Sequence, residues 1–219
     1  MRRPDLFHSM HRARRAASVA IAALALAACG DGTGNGDDGA VETTELQFLA
    51  PAPDAPPLVV TTASFYAKKG EDRRLRMYYR PRPGEADSTE FLRFEVKQES
   101  LLRRPNGSLI AQGDSVLITV TVVDLTRFIV DFQPSGLRFD PDEPAQLKLE
   151  FDEADDDIDD DGDIDGDDDL RKTQLSLWRR ETAAQPWVQI ASQVEVDLEQ
   201  LEADILGFTN YAIAYRRPQ

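Results

Sequence analysis

One acidic stretch, Asp152–Asp169, carries the residues whose types and spacing could do chemistry. Thirteen of its 18 residues are aspartate or glutamate, and the others are alanine, isoleucine and glycine. Carboxylates packed this closely repel one another unless a cation neutralises part of their charge. Hard oxygen ligands, without nitrogen or sulfur, favour Ca²⁺ over transition metals. The stretch is therefore a candidate calcium loop.

The spacing inside the stretch matches the twelve-residue calcium loop of an EF-hand, which alternates acidic ligands and has glycine at position 6. Counting from Asp157 puts Gly162 at position 6, where it permits a sharp turn. Ile164 falls at position 8, where we expect its side chain to point into the core and pin the loop. The predicted metal ligands are Asp157, Asp159, Asp161, Asp163 through its backbone carbonyl, Asp165 and Asp168.

Two features separate the stretch from a complete EF-hand. Position 12 is aspartate rather than the longer glutamate that closes the site with both oxygens. The segment before it, Gln146–Phe151, alternates like a strand rather than a helix. A second, overlapping register around Gly166 leaves room for a neighbouring ion, so the sequence leaves open whether the loop binds one ion or two. The alternative is a solvated acidic loop without an ion, the usual state of charge runs.

Few other catalytic groups are available. Both histidines, His8 and His11, and the only cysteine, Cys29, lie at the N-terminus. If that segment is processed, no imidazole or free thiol remains for nucleophilic catalysis or for zinc. We therefore expect a non-catalytic structural or binding module. The alternatives are a carbohydrate-active enzyme that uses two carboxylates, and a cell-envelope assembly factor marked by a long uncovered edge strand.

The N-terminus predicts where the protein resides. A basic region precedes the apolar run Ala16–Ala28, which is shorter than the roughly 20 residues that span a bilayer and is typical of a secretory signal peptide over residues 1–28. The run ends in Leu26-Ala27-Ala28-Cys29, which resembles the bacterial lipobox. That resemblance implies cleavage before Cys29 and diacylglyceryl modification of its sulfur. The alternative is an ordinary signal peptide with an incidental cysteine.

A lipidated Cys29 would anchor an extracytoplasmic protein to a membrane without spanning it. Gly30, rather than aspartate, follows the cysteine and favours the outer membrane over the inner one. Beyond residue 28 the chain has 20 basic and 39 acidic residues, and most of the excess lies in the acidic stretch. This charge argues against nucleic-acid binding. The expected partners are the membrane, through the anchor, and an unidentified protein or envelope ligand.

The remaining chain predicts a tether and an all-β domain. Residues 29–57 are rich in Gly, Asp and Pro and predict a flexible tether, within which Leu46–Leu49 could form a short strand. Residues 58–219 predict an antiparallel β-sandwich of roughly ten short strands, with the acidic loop 152–169 inserted. Single helical turns are expected near Asp168–Thr173 and Leu198–Ala203, and a turn at Lys68–Gly70 is expected to join Val59–Tyr66 and Arg73–Arg80 into a hairpin. The candidate strands are Val59–Tyr66, Arg73–Arg80, Thr89–Lys97, Val116–Asp124, Arg127–Phe132, Leu137–Phe139, Gln146–Phe151, Gln174–Arg179, Trp187–Ile190, Val194–Leu198, Ile205–Phe208 and Tyr211–Tyr215.

Three motifs in the second half carry a family resemblance. They are the turn in Phe132–Phe139 with the strand Pro144–Leu149 that follows it, the strand pair marked by Leu177-Trp178 and Pro186-Trp187-Val188, and the closing segment Gly207–Tyr211. The span Phe128–Tyr215 thereby resembles the ZU-five type β-sandwich domain of zonula occludens proteins, netrin receptors and ankyrins, which has relatives among bacterial surface lipoproteins. Some members of that family cut themselves in the closing motif. Because glycine stands at position 207 in place of the family's histidine, we predict no self-cleavage before Thr209.

Overall fold

Alternation of apolar and polar residues accounts for most strands in the computed structural model, which describes residues 39–218. One short helix, α1, spans Gly166–Lys172, and every other regular element longer than one turn is a strand. The strands are β1 (Leu46–Phe48), β2 (Thr62–Lys68), β3 (Arg73–Tyr78), β4 (Glu90–Val96), β5 (Leu101–Arg103), β6 (Ser115–Asp124), β7 (Ile129–Gln133), β8 (Arg138–Phe139), β9 (Ala145–Glu150), β10 (Ser176–Arg180), β11 (Val188–Gln189), β12 (Gln193–Glu195), β13 (Gln200–Ile205) and β14 (Asn210–Arg216).

Two large antiparallel sheets make up the sandwich, and β5 and β8 pair separately as a third, two-stranded sheet. A seven-stranded sheet has the order β11-β10-β14-β7-β6-β2, with β1 beside the end of β14, and a five-stranded sheet has the order β12-β13-β9-β4-β3. Their inner faces share one aromatic core: the ring of Phe94 lies 5.1 Å from that of Phe132 and 5.5 Å from that of Phe208. Interdigitated inner faces of this kind define a sandwich. The predicted all-β fold is confirmed.

Side-chain hydrogen bonds fix the start of the last strand, β14. The Tyr211 hydroxyl donates a hydrogen bond to the Gly207 carbonyl at 2.5 Å, the arrangement called a tyrosine corner in Greek-key sandwiches. The Thr209 hydroxyl donates to the carbonyl of Arg180. A Cβ at Gly207 would lie 3.1 Å from the carbonyl oxygen of Leu137. The close backbone approach at this corner therefore leaves little room for a side chain at position 207.

The predicted tether is wrong for much of the part that the structure describes. Leu46–Phe48 pairs with β14, as the possible strand suggested, and Val41, Leu46 and Phe48 are buried. They join Trp178 and Trp187 in a second apolar cluster, on the face of the seven-stranded sheet that turns away from the main core. Burial of these apolar side chains makes the segment part of the domain. The signal peptide, Cys29 and the tether up to residue 38 lie outside the described residues.

Two local predictions also need correction. β2 and β3 do not form the expected hairpin, because β2 pairs with β6 in one sheet and β3 pairs with β4 in the other. The helical turn expected near Leu198–Ala203 is instead a 3₁₀ turn at Val196–Leu198 followed by β13, while the turn expected near Asp168–Thr173 is confirmed as α1. Within residues 39–218, neither α1 nor any other helix has the length and apolarity needed to cross a membrane.

Candidate metal centre

The acidic stretch runs between the two sheets of the sandwich. It leaves the five-stranded sheet at the end of β9 and reaches β10 of the seven-stranded sheet through α1. Its first residues run beside the N-terminal segment, where the Asp155 amide donates to the Ala50 carbonyl and the Ala52 amide to the Glu153 carbonyl, both at 2.9 Å. The stretch is therefore held at both ends and along its first half.

Two side chains pin this first half to the domain. Glu153 is only 3% exposed, and its two carboxylate oxygens accept hydrogen bonds from the Arg82 guanidinium at 2.6 and 2.5 Å. Ile158 is 4% exposed and packs in the main core. The expectation that Ile164 would pin the loop is wrong, because its side chain is 70% exposed. Neither Glu153 nor Ile158 stood out in the sequence, since the run holds two isoleucines and many carboxylates in similar surroundings.

Three of the predicted ligands come together in the middle of the stretch. Asp157, Asp159 and Asp161 each offer a carboxylate oxygen, and these atoms lie within 4.8 Å of one another. The Asp157 carboxylate also accepts hydrogen bonds from the amides of Asp161 at 3.1 Å and Gly162 at 2.9 Å. Gly162 has a φ of 100°, a left-handed conformation that glycine adopts without strain. The backbone thus curls around the Asp157 side chain and brings the other two carboxylates towards it.

The other predicted ligands lie outside this group of three. Asp168 is buried, and its oxygens accept hydrogen bonds from the amides of Ile158 at 2.7 Å and Asp165 at 2.8 Å. Asp165 is the N-cap of α1, and its carboxylate accepts a hydrogen bond from the amide of Asp167 at 2.7 Å. This reciprocal arrangement is a capping box, with aspartate in place of the usual glutamate. Asp163 is exposed. The Asp168 side chain thus clamps the loop to the helix.

The pKa values in the stretch follow from burial, repulsion and hydrogen bonding. Partial burial, followed by the charges of Asp161 and Asp168, raises the pKa of Asp159 above its ordinary value. The charge of Asp161, followed by that of Asp165, raises the pKa of Asp163. The hydrogen bond from the Asp165 amide, above all, lowers the pKa of Asp168. The pKa is therefore raised at Asp159 and Asp163, whose carboxylates accept no hydrogen bond in the described part of the chain, and lowered at Asp168, whose carboxylate accepts three.

Asp152, at the start of the stretch, has the largest shift towards neutrality. It keeps part of its surface in water, yet partial desolvation, followed by the charges of Glu153 and Glu150, raises its pKa to about 6. The basic groups that pair with this stretch bind other carboxylates: Arg82 pairs with Glu153, and Lys172 lies 3.0 Å from Asp156 and 3.8 Å from Glu199. This end of the domain therefore gathers more negative charge than its ion pairs neutralise.

The group of three carboxylates fits a hard divalent cation better than it fits a transition metal. Its donors are all oxygens, and they occupy positions 1, 3 and 5 of the predicted calcium register. Calcium takes six to eight oxygen ligands, so backbone carbonyls and water would have to complete the shell. A metal held here would offset the repulsion between these carboxylates, which adds to the effect of burial in raising the pKa of Asp159. No salt bridge joins these three carboxylates to a basic side chain within residues 39–218.

A separate cavity bears on the alternative of a carboxylate enzyme. It has a volume of about 610 Å³ and lies where β3 begins and β4 ends. Its lining mixes both signs of charge and contains no aromatic side chain on which a sugar ring could stack. The lining residues are Asp72, Arg73, Arg74, Glu95, Val96, Lys97, Gln98 and Glu143.

Comparison with known proteins adds no assignment to this geometry. A scan against protein-family models gives no match, and searches of curated proteins and of solved structures also find no similar protein. The resemblance of Phe128–Tyr215 to the ZU-five type domain therefore stays a prediction from its motifs. What the fold and the site carry by themselves is an all-β sandwich with a cluster of carboxylates on an ordered loop.

Proposed function

We propose that this protein is a lipid-anchored, extracytoplasmic β-sandwich module without catalytic activity, and that its acidic loop binds Ca²⁺. The observation that carries the calcium part is the convergence of Asp157, Asp159 and Asp161, whose carboxylate oxygens lie within 4.8 Å of one another. Packing and amide hydrogen bonds preorganise this loop, which lowers the entropy that binding must overcome. Extracellular modules bind calcium with dissociation constants of roughly 10⁻⁴–10⁻³ M, and we expect this range here.

Asp159 gives the sharpest variant for testing the calcium site. Its carboxylate belongs to the group of three but accepts none of the amide hydrogen bonds that shape the loop. Asp159→Asn therefore removes one ligand charge while sparing the backbone. The neighbouring Asp160→Asn is a matched control, because Asp160 lies outside the group and has a φ of 61°, which asparagine tolerates well.

Isothermal titration of the full chain with calcium chloride is the direct measurement. We expect one ion per chain for the wild type and for D160N, and an affinity weakened by about tenfold or more in D159N, which corresponds to about 1.4 kcal/mol. The same titration with magnesium chloride reports selectivity. Absence of binding at millimolar calcium, or equal affinities for D159N and D160N, would remove calcium from this proposal.

The anchor rests on the lipobox-like residues Leu26–Cys29 and is tested independently of calcium. Bacteria that express the chain are fed an alkyne fatty acid, and the protein is then isolated for labelling and intact-mass analysis. We expect cleavage before Cys29 and lipid on its sulfur, with outer-membrane rather than inner-membrane fractionation because Gly30 follows. The variant Cys29→Ser should lose both label and membrane association. Labelling that persists in C29S, or a wild-type chain without lipid, would contradict the anchor.

A further inference from the structure

The two sheets end side by side in very different edge strands. β3, the edge of the five-stranded sheet, bears Arg73, Arg74 and Arg76, each in an ion pair with a glutamate. β2, the edge of the seven-stranded sheet, has seven residues and carries no charge before Lys68. Edge strands invite pairing with other chains unless charges, proline or short length discourage it. β3 is protected in this way, and its end also pairs with the segment that enters β2, where the Val59 amide donates to the Tyr78 carbonyl. β2 itself lies beside β3 but makes no backbone hydrogen bond to it among the described residues, and it carries none of these protecting charges before Lys68.

The backbone of β2 has hydrogen-bonding groups that point away from the sheet. The Val122 amide donates to the Thr61 carbonyl, and the Lys69 amide donates to the Asp114 carbonyl, so the odd-numbered residues face β6. Because successive residues of an antiparallel strand alternate, the N–H and C=O groups of Thr62, Ser64 and Tyr66 face the open edge. All three residues are exposed, and Tyr66 retains 65% of its accessible surface.

We propose that β2 pairs with β2 of a second copy of this chain, antiparallel about a twofold axis at Ser64. Thr62 of one copy then faces Tyr66 of the other, and Ser64 faces Ser64, so that each facing pair exchanges two backbone hydrogen bonds. The two seven-stranded sheets become one continuous sheet. An interface of this kind is isologous and closes as a dimer.

The side chains of β2 are compatible with this register. Phe65, which is only partly buried against the core, faces Ala63 of the second copy. The twofold axis repeats this pair, so the dimer covers the exposed part of both Phe65 side chains. Lys68 faces Val60 rather than another charge. A second copy explains the sequence of β2 better than an unrelated strand does, because the segment is complementary to itself at every facing pair. On β3 the same operation would bring arginines together.

Ser64→Lys tests the twofold axis, because it places two ammonium groups directly opposite each other, where like charges are destabilising. The matched control is Thr119→Lys: Thr119 is the cross-strand partner of Ser64, its hydroxyl lies 2.8 Å from that of Ser64, and its side chain lies on the same face one strand inward. Both variants lose the same hydroxyl pair and gain the same charge. Sedimentation velocity of the full chain should show a concentration-dependent dimer, with the dissociation constant raised about tenfold or more in S64K and little changed in T119K.

Disulfide trapping gives a second readout that does not depend on the stability of S64K. In a Cys29→Ser background, which removes the only native cysteine, Ser64→Cys places the two Cα atoms of a facing pair about 5.5 Å apart, within disulfide range. Thr119→Cys leaves its two copies roughly 15 Å apart by strand spacing. We expect rapid crosslinking of S64C alone. Both experiments are carried out with a calcium chelator present and without lipid, so their outcome does not depend on the proposed function.

Two results would overturn the dimer. One is a monomer at every concentration up to about 100 μM, far above the micromolar range in which specific interfaces hold. The other is equal crosslinking of S64C and T119C, which would show collisions without register. If β2 instead pairs with a strand of another protein, the isolated chain would stay monomeric at every concentration, which is the first of these results.

Discussion

The part of the acidic stretch that precedes α1 divides into two seven-residue halves, which have nearly the same composition but differ in burial. In the first half, Asp152–Ile158, Glu153 is buried against Arg82 and Ile158 enters the core. In the second half, Asp159–Asp165, every residue after Asp159 is exposed, Ile164 included. The candidate metal centre lies at the junction, with Asp157 on one side and Asp161 on the other. A run of charged residues can therefore be held in a fold where single buried residues attach it to the domain. Where no residue does so, its carboxylates stay exposed and available as ligands.

The largest expected effect comes from the two isoleucines. Ile158→Ala should lower the free energy of unfolding by about 2–4 kcal/mol, because it leaves a cavity in a packed core. Ile164→Ala removes the same atoms from an exposed side chain and should change it by about 0.5 kcal/mol or less. Chemical denaturation of both variants, with calcium chelated, measures the difference. Equal losses of unfolding free energy in the two variants would mean that the two halves do not differ in burial.

A smaller effect is expected from the ion pairs of the first half. Glu153→Gln leaves the Arg82 guanidinium without its carboxylate partner. Loss of a fully buried pair costs about 3–5 kcal/mol, and because the Arg82 side chain is 40% exposed we expect about 1–2 kcal/mol. The control Asp156→Asn breaks the pair with Lys172, in which Asp156 is 64% exposed, and should cost about 0.5 kcal/mol or less. A cost for D156N that equals or exceeds that for E153Q would contradict the assigned roles.

The raised pKa of Asp152 predicts a still smaller, pH-dependent effect. Since its folded-state pKa of about 6 lies above the unfolded value, the folded chain binds more protons, and stability from this group falls as pH rises from about 4 to 6. Asp152→Asn should therefore stabilise the protein at pH 7 more than at pH 4.5. Because the side chain is partly exposed and screened, we expect less than about 1 kcal/mol. Denaturation curves at both pH values check the sign; an equal effect at both would contradict it.

Most of the fold could be predicted from the sequence, because period-2 alternation is a local signal. β13 shows where this signal competes with helix propensity. Gln200–Ile205 alternates, but its glutamate, leucine and alanine favour a helix, and pairing with β9 makes it a strand. The expected hairpin of β2 and β3 failed for a related reason. A short link with Gly70 suits a hairpin, whereas the choice of β6 as partner depends on residues about fifty positions away.

The candidate site was predictable in its centre and not at its borders. The register from Asp157 places Asp159 and Asp161 in one group, as the structure does. Spacing alone could not show that amides would occupy the Asp168 carboxylate, since that depends on how α1 closes against Ile158. Nor could it show that Val41 and Phe48 would cover Trp187, because the burial of that segment depends on strands more than a hundred residues later. Long-range packing decides what local pattern leaves open.

Thermal unfolding of the full chain in calcium and in chelator tests the central claim most directly. A ligand that binds only the folded state stabilises it by RT ln(1 + [L]/Kd), so about 10 mM calcium should add about 1.4–2.7 kcal/mol for a dissociation constant of roughly 10⁻⁴–10⁻³ M. We expect the midpoint to rise in the wild type and in D160N, and to rise clearly less in D159N, where a tenfold weaker affinity leaves about 0.4–1.4 kcal/mol of stabilisation, with magnesium at equal ionic strength as the screening control. A midpoint that calcium and magnesium raise equally, or that calcium leaves unchanged in the wild type, would contradict a calcium centre at Asp157, Asp159 and Asp161.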